Sequence, residues 1–405
     1  MFGRIDRRLL TIVLIVFVQI LGAAMVLPIL PIYARNEFAI SENTVTLIIS
    51  VFFAAQFLAG PFIGRLSDLY GRLPVLIVSQ IGTVIAFAML GLADTVWVLF
   101  AARIFDGITG GNIVVAQAYI TDITPPKERS QALGYIFAAF GMGFIFGPAL
   151  GGVLSAAFGP RIPFFFAAGV ALLTTLLTWF MLDETLTPER RAAIVAQNKP
   201  KFQLSAILSN VSLMLILFIT FGAQFSFSML QSTFALYGED VLFPSYNQQD
   251  ATLRIGLLLS VVGVGQLVTQ LFILKRMLAR FQEYRSVIIG TVLRGSGMLL
   301  LVIAPNPILA AGAMSLFAIG AGVQLPPLQG LASNSVDDSL RGGVLGIYQS
   351  TQSLGIIFGS ALAGTLFAFN PRLPYTLGGV LLLTMIVPSL FLMRRNAVPH
   401  GQLAT

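Results

Sequence analysis

An apolar run near residue 100 carries two opposite charges three positions apart, Arg103 and Asp106, followed by Asn112 and Gln117. On a helix, Arg103, Asp106, Gly110 and Gln117 fall near one face. Counted from Val96, Asp106 is ten residues in, about 15 Å at the helical rise, which is close to the middle of a bilayer. A charge at that depth costs about 2.5–3.5 kcal/mol on insertion scales, so it demands a role. One role is chemical: Asp106 takes up and releases a coupled proton while Arg103 tunes its proton affinity. The other is structural: a permanent ion pair at i, i+3, shared with Arg294, the only other charge placed inside a helix.

Other chemistries find little support. The chain has no cysteine and one histidine, His400 near the end, so thiol nucleophiles, iron–sulfur clusters and most metal sites are excluded. Ser296 lies in a Gly-Ser-Gly run but has no buried base to activate it. No GxxxxGK[ST] phosphate loop occurs. No metal or organic cofactor is expected, and the chain does not read as an enzyme. Seven glutamines, Gln19, Gln56, Gln224, Gln231, Gln324, Gln349 and Gln352, interrupt apolar segments. A lipid-facing amide is costly, so these side chains should face other helices or a wet cavity. Phe221, Gln224, Ser228 and Gln231 form a stripe whose aromatics and neutral amides suit bulky amphipathic ligands. For any one glutamine, plain interhelical hydrogen bonding is an equal alternative.

The elements that must position these groups are membrane helices. The 405 residues are 56% hydrophobic and 10% charged, with a mean hydropathy of +0.87, so lipid must be the solvent for most of the chain. Twelve segments are long and apolar enough to span: 9–34, 44–64, 74–93, 96–120, 130–156, 161–182, 207–237, 252–274, 286–304, 307–332, 342–368 and 373–393. The first is too long for a signal peptide and lacks a cleavage site. The net charge of +7 does not point to nucleic acid, because the cations sit in small groups between spans. With both termini inside, 18 of the 24 Lys and Arg residues fall in cytoplasmic positions and four outside, as topology rules require.

The chain is internally duplicated. At one fixed offset Arg129, Leu133, Gly134, Gly143, Phe146, Gly147, Leu150 and Gly152 match Arg341, Leu345, Gly346, Gly355, Phe358, Gly359, Leu362 and Gly364. Helices two and eight match through Ser50, Val51, Gln56 and Phe62 against Ser260, Val261, Gln266 and Phe272. The expected fold is an all-α membrane protein with twelve transmembrane helices in two pseudo-symmetric six-helix bundles. The bundles are residues 1–182 and 207–405, joined by a cytoplasmic loop at 183–206.

Three motifs add a resemblance. The loop after helix two reads GRLSDLYGRL over 64–73. It resembles the G-x3-D-x2-G-R-R signature of the major facilitator superfamily through Gly64, Asp68, Gly71 and Arg72, with Leu73 in place of the last basic residue. Helix five reads GFIFGPALGG over 143–152. Its Gly143, Gly147, Pro148, Gly151 and Gly152 look like the antiporter motif of drug/proton antiporters. Helix one ends in a proline-rich stretch of that type, and 101–182 looks closest to the tetracycline-antiporter branch.

The resemblance implies a proton-coupled exporter of drug-like small molecules, working by alternating access as a functional monomer in the plasma membrane. Its partners would be a small-molecule substrate, protons and membrane lipids. It places Arg103 at a helix-four arginine associated with proton coupling. It also makes Asp68 part of a latch between the halves, facing the region around 339–341 that includes Arg341. Gln19 and Arg294 stand where many tetracycline antiporters carry aspartates, which argues against a cationic metal–tetracycline substrate. A transporter of a native metabolite such as a sugar, amino acid or lipid, and more distantly a non-transporting receptor, are the alternatives.

Overall fold

A computed structural model describes residues 7–110, 112–125, 129–187, 209–304, 306–336 and 341–397. Most of the expected central loop, 188–206, lies outside that set. Helix is the only regular structure among the described residues. Twelve helices have the length and apolarity to cross a membrane: Arg8–Phe38, Glu42–Tyr70, Arg72–Leu92, Val96–Ile123, Ala138–Phe158, Ile162–Met181, Val211–Leu242, Gln248–Arg280, Glu283–Ile303, Pro307–Asn334, Gly343–Phe369 and Leu373–Arg395. They are numbered one to twelve in that order. Each corresponds to one expected segment. Several run a turn or more past it, because helices continue beyond the hydrocarbon into polar residues.

The ends are set by ordinary capping chemistry. Ser41 Oγ accepts from Thr44 N at 3.3 Å to start helix two, and Asn306 Oδ1 accepts from Leu309 N at 3.0 Å to start helix ten. Proline stands in the first turn of helices six, ten and twelve, where its missing N–H is no loss. Gly71 turns the chain between helices two and three at φ 108°, a conformation open to glycine and strained for other residues.

The expected span 96–120 is present as Val96–Ile123, divided within its length into Val96–Thr109 and Asn112–Ile123. Consecutive glycines at 110 and 111 supply little helix propensity, and neighbouring side chains take up the carbonyls that the break releases.

The chain forms two compact units, Met1–Lys199 with Phe234–Gly263 and Pro200–Thr233 with Val264–Thr405. Helices seven and eight therefore contribute to both. In the first unit, helix one packs along helix five, helix two along helix four, and helix three along helix six. Ile12, Ile15, Val16, Leu76, Tyr119, Ile136 and Ala139 form its core. In the second, helix nine packs on helices ten and twelve. Leu213, Ile216, Ile219, Val287, Leu328, Val344 and Tyr348 form that core. The outer surfaces are apolar: Trp97, Phe180, Ile308 and Phe369 are each more than three-quarters exposed. Charges such as Arg294 and Asp106 are buried. That inversion is a bilayer's signature, since water would reward neither.

Candidate functional site

Asp106 lies in the first unit on the Val96–Thr109 segment of helix four, three turns from its start, and is 6% exposed. Arg103 Nη1 donates to Asp106 Oδ2 at 3.0 Å, the i, i+3 geometry expected from the spacing. The Arg103 guanidinium also lies 4.2 Å from the centre of the Phe52 ring on helix two. Its Nε has no hydrogen-bond partner. The Thr83 side chain of helix three hydrogen-bonds the Asp106 carboxylate. The carboxylate thus has one cation and one neutral partner from two different helices.

Immediately below, the helix breaks. Gln56 Nε2 donates to Gly110 O at 3.1 Å, and Ser79 Oγ donates to Thr109 O. Helices two and three therefore hold the two carbonyls that a continuous helix would have used. Gly107 faces Phe52 O and Ala55 Cβ so closely that a methyl group there would lie 2.5 Å and 2.7 Å from them. Helix two thus presses directly on the Asp106 turn. Gln56 was expected either at a wet cavity or in an interhelical hydrogen bond, and its bond to Gly110 O is of the second kind. Gln117 and Gln19 are half-buried in the same unit. Asn112 begins the second segment, Asn112–Ile123, but its side chain lies outside the described residues.

The loop motif forms a charge cluster between helices two and three. Arg72 Nη1 donates to Asp68 Oδ1 at 2.8 Å and to Ser67 Oγ at 2.7 Å, and its Nε donates to Asp122 Oδ2 at 3.0 Å. Glu184 accepts from the backbone N–H groups of Arg72 and Leu73, both at 3.0 Å, and so caps helix three through the charge–dipole interaction favoured at a helix N-terminus. Asp122 and Glu184 escaped the sequence reading. Only their position in charged loops hinted at them, because their partners are 50 and 112 residues away. The expected facing region of Asp68 includes 339 and 340, which lie outside the described residues, as does the Arg341 side chain. Gly64 has open space around it, with nothing within 4 Å of an added methyl group.

The helix-five glycines make a close seam. Methyl groups at Gly143, Gly147 and Gly151 would lie 2.5 Å from Ile20 Cγ2, 2.6 Å from Ala24 Cβ and 2.6 Å from Met25 O, all on helix one. Gly152 and Pro148 face helix eight at Leu253 and Gly256. Helix eleven repeats the arrangement in the second unit: Gly355 and Gly359 abut Phe221, Gln224, Phe225 and Ser228 of helix seven.

In that second unit Arg294 is 1% exposed. Its Nη1 donates to Gln324 Oε1 at 2.6 Å and its Nη2 to Ala223 O at 3.0 Å, while Gln324 Nε2 donates to Thr291 Oγ1 at 2.7 Å. The guanidinium sits 4.9 Å from the Phe317 ring centre. No carboxylate pairs with it among the described residues. Gln224 is buried beside Gly355, Gln231 and Gln352 are half-buried, and Gln349 is exposed. None of these hydrogen-bonds Arg294 among the described residues.

Comparison with known proteins supplies the wider setting. The family model described as Major Facilitator Superfamily matches residues 12–247 and again 225–405. The tetracycline resistance protein, class C, of Escherichia coli is 32% identical, with 90% of each chain covered. Multidrug resistance protein 2 of Bacillus subtilis (strain 168) is 27% identical over 91% of this chain and 90% of its own. Among solved structures, a bacterial homologue of the human lysosomal transporter Spinster superposes with a TM-score of 0.74 at 18% identity, covering 98% of this chain and 96% of that one.

Proposed function

From the premise that this chain belongs to the Major Facilitator Superfamily, we propose that it is a proton-coupled exporter of drug-like, amphipathic small molecules. It works as an antiporter by alternating access, as a monomer in the plasma membrane with both termini in the cytoplasm. The similarity to tetracycline and multidrug resistance proteins supports drug export. The observation that carries proton coupling is Asp106, a carboxylate buried at mid-helix with a single arginine and a threonine as partners.

In the proposed cycle Asp106 accepts one proton from the outer side. The neutral carboxyl keeps its bond to Thr83 and loses its charge interaction with Arg103, which retains the Phe52 ring face. Discharge of the proton inward restores the pair. The close glycine seam of helix five on helices one and eight supports a rocking motion, because small residues let packed helices slide with little steric penalty. The cluster around Arg72 and Asp68 acts as a switch that favours one access state.

Arg294 favours a second reading, in which the substrate is a native metabolite bearing negative charge. A buried cation with only neutral partners is expensive, and an anionic substrate group would offset that cost.

The test is substrate-induced proton release from acidified inside-out vesicles. The panel would contain tetracyclines, fluoroquinolones, lipophilic cations and organic anions, with Asp106→Asn alongside wild type. Release with a drug, lost in the variant, is the expected result. Release with organic anions alone would transfer the assignment to the second reading. Equal release in the variant would remove Asp106 as carrier.

A further inference from the structure

The internal duplication sets the loop 64–73 between helices two and three against the loop 274–283 between helices eight and nine. The two have diverged in charge. In the first, Arg72 is neutralised by Asp68 and Asp122. In the second, Leu274, Leu278 and Phe281 stand where Gly64, Asp68 and Gly71 would be, and the carboxylate of the motif is gone while cations have accumulated. Lys275, Arg276, Arg280 and Arg285 are all exposed, against a single carboxylate, Glu283. None of the four forms an ion pair among the described residues. Arg276 Nη1 bonds only the Phe272 carbonyl, at 3.1 Å, and Arg280 lies 5.9 Å from the Phe281 ring centre.

The apolar surroundings are equally unpartnered. Leu271 and Phe272 are more than half exposed, and Leu278 is 39% exposed. An open depression of about 440 Å³ lies among Leu278, Gln282, Glu283 and Tyr284. Helix eight ends here at Arg280 and helix nine begins at Glu283, so the patch sits at the edge of the apolar span, where lipid headgroups meet acyl chains.

We infer that the loop between helices eight and nine is a binding site for an anionic phospholipid, with the headgroup phosphate held by Arg280 and Arg285 and the acyl chains lying on Leu271, Phe272 and Leu278. Guanidinium groups fork naturally onto phosphate oxygens, and a juxtamembrane cluster of four cations is enough to attract anionic headgroups. The exposed apolar side chains beside the cations select a lipid over a soluble phosphate. Glu283 lines the depression and disfavours a headgroup seated deep within it, which leaves the phosphate to the exposed arginines on either side in sequence, Arg280 and Arg285. This site is independent of the transport reading.

The test is equilibrium binding to the full-length chain in neutral detergent, with three probes: dioctanoyl phosphatidylglycerol, dioctanoyl phosphatidylcholine and inorganic phosphate. At about fivefold per cation, Arg280→Gln with Arg285→Gln should weaken binding of the anionic lipid about 25-fold. Arg280→Lys with Arg285→Lys should keep most of it, and this pair serves where the glutamine pair fails to fold. Arg372→Gln, which removes an exposed cation between helices eleven and twelve, should change nothing. Undiminished binding by the glutamine pair overturns the site. Equal binding of phosphatidylcholine overturns the role of charge, and equal binding of phosphate overturns the lipid.

Discussion

Replacing Asp106 by asparagine abolishes a charge and leaves another behind. Arg103 is 9% exposed, and its one ion pair among the described residues is the 3.0 Å contact to Asp106. Removing one partner of a buried pair typically costs about 3–5 kcal/mol, because the remaining ion is uncompensated. The Phe52 face at 4.2 Å offsets up to about 2 kcal/mol of that in a desolvated setting. With that offset in full the expected cost of Asp106→Asn is about 1–3 kcal/mol, with the Thr83 bond retained by the amide oxygen. Adding Arg103→Met removes the orphaned cation at similar length, and the double variant should return to within about 1 kcal/mol of wild type. The chain has no cysteine, so unfolding in mixed micelles is best followed through its two tryptophans, Trp97 and Trp179. The recovered double variant, inserted and folded, should still release no protons on substrate addition. Two results would refute the reasoning: a double variant as unstable as the single one, or a stable double variant that retains coupled proton release.

Three other perturbations follow from the geometry. Gly147→Val should cost about 1–3 kcal/mol by overpacking, since its first carbon would lie 2.6 Å from Ala24 Cβ and 2.9 Å from Leu21 O. Gly169→Ala, with nothing within 4 Å, should be neutral or slightly stabilising in the same unfolding assay. Gln56→Leu should leave Gly110 O unpaired, lower stability by about 1–3 kcal/mol and speed amide hydrogen exchange around residues 107–115 without altering exchange in helix six. In the first unit, where helix one ends, Arg35 forks onto Asp240 at 2.7 Å and 2.8 Å and onto Glu239 at 2.5 Å, with Asn36 Nδ2 donating to Glu239 at 2.8 Å. Arg35→Leu should lower the unfolding temperature more at low salt than at high salt, because these groups are only partly shielded from solvent. A salt-independent loss would mean that packing, not charge, is what Arg35 contributes.

The sequence by itself determined the number and length of the spans, the helical pairing of Arg103 with Asp106 and the internal duplication. These depend on hydropathy summed over about 20 residues, on i, i+3 geometry and on register, all of which are local. Tertiary structure alone decided the partners. It brought Asp122 and Glu184 to Arg72 and tied Arg294 to Gln324 and the Ala223 carbonyl. It also made Gln56 and Ser79 the supports of a broken helix four, where the sequence left Gln56 open between a neighbouring helix and a wet cavity. In water, an amphipathic stripe announces which face of a helix is buried. In lipid both faces are apolar, so the periodicity that would have named the neighbours is erased. Which helix lies against Asp106 is then set by close packing and by the need to satisfy every buried polar group, and only the folded chain reveals it.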